Sequence, residues 1–472
     1  MVNSNRTSFL IKNTLVFTIG NFATKFITFF LIPLYTRFLS ISEYGTIDLI
    51  STIATILAPV FVLNITESVM RFSLDKDAKH DEIIHIGLLI YVVSLMVGCI
   101  IFPVVSFFPA IEQYRIFIYL YMVTCSGSQL LLAFLRGKEK LVLYSIGNVI
   151  QTIVSALGSI LFIGVLGMGI NGYFYAYIVA ALLTMFYAFI VGNVKIQYFY
   201  HKINSSLAMK MLKYSIVLIP NTFMWWIMNA SDRLMVTSMV GVAANGVYAI
   251  SYKLPTLVST MTTIFNQAWS YSAIREEGAS DEEEYNNLIL RKLIVFVMIV
   301  GVGIIAFSKP FLKIYVSEEF FYSWHYIPFL TIGCVYLTFG SFMSTSYSVH
   351  KDSVGYMISG CCGAVLNVVL NFALIPVCGV YGAAIATCLS YIFVFIYRIF
   401  NTRKYIKYDV INKPFIIGTI ILGVSSIIVY LDGYIAQISN ILLLGILIFI
   451  MKGEINPLIN NFVNGLKKKT KR

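Results

Sequence analysis

Apolar runs of about 20 residues recur from one end of the chain to the other, and each is long enough to cross a bilayer as a helix. Fourteen such cores are read, at 14–35, 44–66, 83–107, 114–135, 141–165, 172–192, 214–235, 245–268, 292–309, 324–347, 354–376, 381–400, 414–431 and 435–451. They predict an all-α polytopic membrane protein. Polar positions inside the first run, FTIGNFATKFITFFLIPLY, are not scattered. Asn21, Thr24, Lys25 and Thr28 are three or four residues apart, so they share one helix face. A lysine at the bilayer centre costs roughly 3 kcal/mol on insertion scales, and it needs a hydrated cavity, an anionic partner or an anionic ligand. The stripe therefore predicts a transport pathway. The plain alternative is a lysine that snorkels to the headgroups.

Spans seven and eight repeat the pattern. The seventh carries Asn221, Trp225, Asn229, Asp232 and Arg233, and the eighth carries Tyr248, Tyr252, Lys253, Ser259, Thr262 and Asn266. Lys25, Arg233 and Lys253 fall in the middle or outer part of the bilayer. Together with Asn21 and Asn229 they are expected to line a cationic, substrate-binding cavity. Asp48 and Asp232 are the carboxylates expected to couple an ion or to partner those cations. Interhelical glue is the alternative for all of them. The cations outnumber nearby carboxylates, which favours an anionic ligand. Glu67 and Arg71, at i and i+4, read as an ordinary surface pair.

Composition agrees. Of 472 residues, 58% are hydrophobic and 12% charged, against about 25% charged in a soluble domain. No soluble domain fits between the spans, and the first segment lacks a signal-peptide cleavage site. The net charge of +12 does not indicate nucleic acid, because the cations sort by membrane side. With the N-terminus in the cytoplasm, Arg71, Lys76, Lys79, Arg136, Lys138, Lys140, Lys195, Lys202, Lys210, Lys213, Arg275, Arg403, Lys404, Lys407 and the tail from Lys467 to Arg472 all fall inside, and only Arg37, Arg115, Lys309 and Lys313 lie near outer ends. This bias predicts cytoplasmic termini. The acidic run Asp281–Glu284 reads as a solvated loop. Seven cysteines lie in apolar segments without metal or redox spacing. Gly167, Gly169 and Gly172 match GxGxxG, but both flanks are membrane spans, so a tight turn is expected there and a dinucleotide site is not. HExxH and GxSxG are absent. No enzyme activity, metal or cofactor is expected.

Short segments recur in order. LVFTIGN (15–21) corresponds to SIVLIPN (215–221), SEYG (42–45) to ANGVY (244–248), and GMGING (167–172) to CGVYG (378–382). They predict two pseudo-symmetric six-helix halves related by an axis along the membrane normal, with substrate between them. The expected organisation is an N-terminal half at 1–193, a cytoplasmic linker at 194–213, a C-terminal half at 214–402, and two extra helices with a basic tail at 403–472.

Five stretches carry a family resemblance: PLYTRFLSISEYG (33–45), NASDRLMV (229–236), GVYAISYKLPTLVSTM (246–261), FNQAW (265–269) and LNFALIPVCGVYGAAIATCLSY (370–391). In order and across both halves, the chain resembles the polysaccharide exporters of the multidrug/oligosaccharidyl-lipid/polysaccharide superfamily, and among them the Wzx-type flippases. The resemblance implies alternating access between two six-helix bundles. It implies a lipid-linked substrate, undecaprenyl-diphosphate oligosaccharide, carried to the outer leaflet of a bacterial inner membrane for O-antigen, capsule or exopolysaccharide assembly. It also implies a proton or sodium counter-ion, and a polymerase and glycosyltransferases as pathway partners. A lipid II flippase, a multidrug exporter and an O-antigen polymerase are the competing readings.

Overall fold

The computed structural model describes residues 23–75, 77–101, 112–194, 204–431 and 433–454. The described chain is helical: α1 (23–38), α2 (Ile41–Phe61), α3 (Ile65–Ser73), α4 (His80–Ile101), α5 (Arg115–Gly137), α6 (Leu141–Ser159), α7 (Gly169–Val191), α8 (Ser205–Met239), α9 (Val242–Ser251), α10 (Pro255–Arg275), α11 (Glu282–Tyr315), α12 (Glu318–Phe321), α13 (Ile327–Val349), α14 (Ser353–Cys378), α15 (Val380–Asn401), α16 (Lys413–Ile428) and α17 (Tyr434–Ile450). The described part of each of the fourteen apolar segments falls on a helix or on consecutive helices. Among the described residues, nine helices are long and apolar enough to cross a membrane, and α9, α16 and α17 are shorter apolar helices. The protein is a multi-pass membrane protein.

Two segments read as single spans are broken. The second ends at Phe61, because Leu63 and Asn64 adopt left-handed backbone (φ 51° and 54°) and α3 starts afresh. The eighth is interrupted between Ser251 and Pro255. Pro255 has no N–H for the preceding helix and opens α10 instead. Local chemistry sets other ends. Ser40 and Glu43 form a reciprocal capping box at the start of α2, with the Ser40 N–H donating to Glu43 Oε2 at 2.9 Å. Gly167, in the turn before α7, and Gly169, its first residue, take positive φ, as expected of GMGING. Hydroxyls within the apolar helices return to their own backbone, as Thr184 Oγ1 does to the Ala180 carbonyl at 2.8 Å. That leaves few polar groups to be satisfied elsewhere.

The chain divides into two compact units. The first runs to Ala230 and includes Val242–Gly246, and the second comprises Ser231–Gly241 and everything from Val247. In the first, Val62, Ile65, Val69, Leu130, Leu132 and Phe134 form part of a buried core. Small residues bring helices close, as where Gly158 of α6 faces Ala176 of α7. Lys138 Nζ caps α7 by donating to the Gly192 carbonyl at 3.2 Å, a cation placed at a helix C-terminus. Arg71 pairs with Asp75 at 2.6 Å and not with Glu67, because its side chain reaches toward the end of α3.

In the second unit α16 and α17 pack on α11. Gly418 lies against Met298, and Gln437 Nε2 donates to the Ala306 carbonyl at 2.6 Å. Arg291 pairs with Glu454. At the start of α14, Asp352 accepts from Lys404 Nζ, the Tyr405 hydroxyl and the Gly355 N–H, each at 2.8 Å. The Lys404 ammonium above all, then the Gly355 amide, holds the Asp352 carboxyl down at about 2. A carboxyl depressed below its unfolded value of about 4 stabilises the fold fully above that pH, and the contribution is lost as pH falls through the folded value. Wild-type melting temperature is expected to fall between about pH 4 and pH 2 more steeply than that of Asp352→Asn, measured by thermal shift in detergent. Parallel curves would remove Asp352 from the acid response.

Candidate functional site

The second unit holds a buried polar network inside apolar helices. It starts at Asp232 of α8, which is 5% exposed. Its carboxylate accepts from the Tyr248 hydroxyl at 2.7 Å, the Tyr252 hydroxyl at 3.3 Å and the Arg233 backbone N–H at 2.9 Å. Tyr248 and Tyr252 are one helical turn apart, and their rings meet edge-to-face at 5.2 Å. The break before Pro255 ends α9 there, so Tyr252 and Lys253 sit at the junction of α9 and α10. The Arg233 guanidinium lies over the Tyr252 ring at 5.8 Å. Charge-assisted hydrogen bonds offset the cost of burying the carboxylate.

The network extends through side chains that sequence inspection passed over. Thr387 of α15 accepts from Asn367 Nδ2 at 3.3 Å. Asn367 Oδ1 accepts from Ser231 at 3.2 Å and from Asn371 at 3.0 Å. Asn367 and Asn371 are at i and i+4 on α14, so they present one face. That spacing was legible in LNVVLNF. Asn371 Oδ1 is buried without a partner among the described residues. The acceptors at this site are carboxylate, amide and hydroxyl oxygens, a set suited to a proton or a hard cation.

The first unit holds Lys25 and Asp48. Lys25 is exposed on α1, beside the exposed Phe26 and Phe30. Asn21 lies outside the described residues, as does the side chain of Asn229. Asp48 of α2 is half-buried and accepts from Asn245 Nδ2 at 3.3 Å. The same nitrogen donates to the Gly45 carbonyl at 3.0 Å. This amide bridge rests on a close crossing of α2 with the first turn of α9. A Cβ at Gly45 would lie 2.1 Å from the Val242 carbonyl oxygen, and one at Gly246 would lie 2.2 Å from that of Ile41. The Gly of SEYG and the Gly of ANGVY, matched as repeats in the sequence, are thus the two residues that make the crossing. Asn245, fully buried, was not singled out beforehand. A second cluster joins Tyr35 to Ser159 at 3.0 Å and to the Tyr173 ring at 5.6 Å.

The structure brings Asp232 and Arg233 together through Tyr252, with Lys253 next in the chain. Lys25 and Asp48 belong to the first unit, where Asn245 holds Asp48.

A family model described as polysaccharide biosynthesis protein matches residues 10–271. This chain belongs to that polysaccharide biosynthesis family. The match contains Lys25, Asp48, Asp232, Arg233 and Lys253, and stops short of Asn367, Asn371 and Thr387. The fold of this family member is similar to that of the lipid II flippase MurJ in an inward closed conformation, with a TM-score of 0.69 and 15% identity over 94% of this chain and 100% of that one. It is also similar to an inward-facing multidrug resistance MATE family transporter of the MOP superfamily, with a TM-score of 0.60 and 14% identity over 87% and 95%. The membrane protein MJ1068 of Methanocaldococcus jannaschii is 31% identical over 103 residues, 22% of this chain, and the match spans 20% of that protein's length.

Proposed function

We propose that the protein is a flippase. It moves undecaprenyl-diphosphate-linked oligosaccharide repeat units from the cytoplasmic to the outer leaflet of a bacterial inner membrane by alternating access, supplying O-antigen, capsule or exopolysaccharide assembly. The observation that carries the reading is a family member of polysaccharide biosynthesis with charged side chains built into membrane helices. Lys25, Arg233 and Lys253 attract the anionic diphosphate, since Coulomb attraction strengthens in a low-dielectric setting. Asn21 and Asn229 add polar contacts to the head group. Asp232, held by neutral hydroxyls, exchanges the coupling proton or sodium ion, with Asp48 as the second candidate. One charge moved through 100 mV is worth about 2.3 kcal/mol, enough to bias a cycle more than tenfold. The chain itself makes no glycosidic bond, and polymerase and glycosyltransferases act before and after it.

The likeness to MurJ favours lipid II as the second substrate reading, since both substrates share one carrier lipid. Flipping of labelled lipid-linked oligosaccharide in proteoliposomes under an imposed gradient tests the proposal. Lys25→Ala, Arg233→Ala and Lys253→Ala are each expected to slow flipping by roughly tenfold, the equivalent of 1.4 kcal/mol. Wild-type rates in all three folded variants would defeat the cationic role. Transport of lipid II alone would select the second reading, and polymer formation from the same lipid would select the polymerase.

The orientation has its own test. Reporter fusions at Lys138 and Lys404 are expected to read as cytoplasmic. An outer signal at either would reverse the proposed topology.

A further inference from the structure

Tyr322, half exposed, belongs to a stacked group of rings in the second unit. Its ring lies 3.9 Å from that of His325 with 28° between planes, and His325 lies 3.7 Å from Trp324 at 27°. Lys309 Nζ sits 3.9 Å from the Trp324 centroid. The group is pinned on several sides. His325 Nδ1–H donates to the Tyr322 carbonyl at 2.9 Å, the Tyr430 hydroxyl donates to the His325 carbonyl, and Lys309 Nζ donates to the Leu431 carbonyl at 3.4 Å. Trp324 is buried and His325 half-buried, so Tyr322 is the most exposed ring of the stack. Exposed Glu318 and Glu319 lie one helical turn before it.

A pinned aromatic ring with two exposed carboxylates one helical turn before it has the chemistry of a sugar platform. A pyranose ring presents one face of C–H bonds that packs on an aromatic surface, and a rim of hydroxyl donors. Holding the platform ring in place beforehand lowers the entropy cost of binding. We propose that Tyr322, with Glu318 and Glu319, is a saccharide-stacking subsite that receives a pyranose of the transported glycan. The proposal deepens the flippase reading and rests on it. The proposed topology, with cytoplasmic termini, has this end of α11 and the start of α13 facing outward, where the glycan would be delivered.

The experiment uses the full chain in nanodiscs and saturation-transfer NMR with glucose, galactose, rhamnose and N-acetylglucosamine. Transfer to sugar C–H protons is expected from wild type. It should fall roughly three- to tenfold in Tyr322→Ala, as loss of one aromatic contact implies, and persist in Tyr322→Trp. Glu318→Gln with Glu319→Gln should weaken it without changing the melting temperature. Equal transfer from wild type and Tyr322→Ala, or none from any sugar, overturns the subsite. The rival occupant is the lipid interface, where Tyr and Trp gather as belts. With Trp225, Trp226, Trp269 and Trp324 changed to Phe, fluorescence of the Tyr322→Trp variant should be quenched by aqueous iodide. Quenching by brominated lipid tails instead assigns the ring to the bilayer and overturns the proposal. A wild-type protein that flips its lipid-linked substrate without Tyr322-dependent transfer removes only the subsite. A Tyr322-dependent signal without flipping removes only the transport reading.

Discussion

Asp232→Ala is expected to abolish gradient-driven flipping and to weaken the second unit, whereas Asp232→Asn should separate the two effects. Alanine leaves the buried hydroxyl of Tyr248 and the half-buried hydroxyl of Tyr252 without their acceptor. A buried donor left unsatisfied costs about 1–3 kcal/mol, so Tyr248 alone implies a loss of that order and the half-buried Tyr252 adds less. Asparagine keeps an acceptor oxygen for Tyr248 and removes the charge. Its melting temperature should stay near wild type while the response to an imposed gradient disappears. The comparison is made on one preparation, with thermal unfolding in detergent and flipping in proteoliposomes. An Asp232→Asn protein that still responds to the gradient would take the coupling role away from Asp232. A stable Asp232→Ala protein would show that water replaces the lost acceptor.

Gly246→Leu is expected to force α9 off α2. The Cβ position at Gly246 is 2.2 Å from the Ile41 carbonyl oxygen and 3.1 Å from the Gly45 backbone nitrogen. These are backbone atoms on a helix, so no rotamer change relieves the clash. Overpacking of this kind costs typically 1–3 kcal/mol and occasionally more. Separation also breaks the two Asn245 bonds to Gly45 and Asp48, leaving a fully buried amide without either acceptor. Gly246→Ala should already lower the melting temperature, and Gly246→Leu should lower it further or prevent accumulation in the membrane. Asn245→Ala, which removes the bridge but not the crossing, should be milder than Gly246→Leu. A Gly246→Leu protein with wild-type stability would mean that the helices part easily at this point.

Arg398 shows where local reading stops. It sits in the last turn of α15, the position of an ordinary cation flanking a span. The side chain instead turns inward and is 6% exposed. Its Nε donates to Ser359 at 3.1 Å and its Nη1 to the Gly340 carbonyl at 3.0 Å, and the guanidinium lies over the Tyr356 ring at 5.4 Å. Nothing in the spacing of SYIFVFIYRIF distinguishes an outward arginine from one that ties three helices.

The sequence by itself determined that the chain crosses a membrane many times as helices, and roughly where each helix lies. Those properties are local. A span is set by the length of an apolar run, and helix is the form in which a single segment satisfies its own backbone in lipid. Breaks at Asn64 and before Pro255, the turn at Gly167 and the capping box at Ser40 are local too, although the first two were read as continuous spans. The sequence also placed Asp232, Arg233 and Lys253 among the chemically important residues, because charge inside an apolar run is conspicuous. Tertiary structure decided which groups meet. Asp232 finds tyrosines from α9 and its end, Asn367 finds Ser231 and Thr387, and Asn245 finds Gly45 and Asp48. Each meeting depends on the rotation of one helix about its axis and its depth against another. Asparagines and threonines add no charge to an apolar helix and leave a weak trace in composition. Packing of small residues against backbone sets those rotations, and it is a property of pairs of segments far apart in the chain.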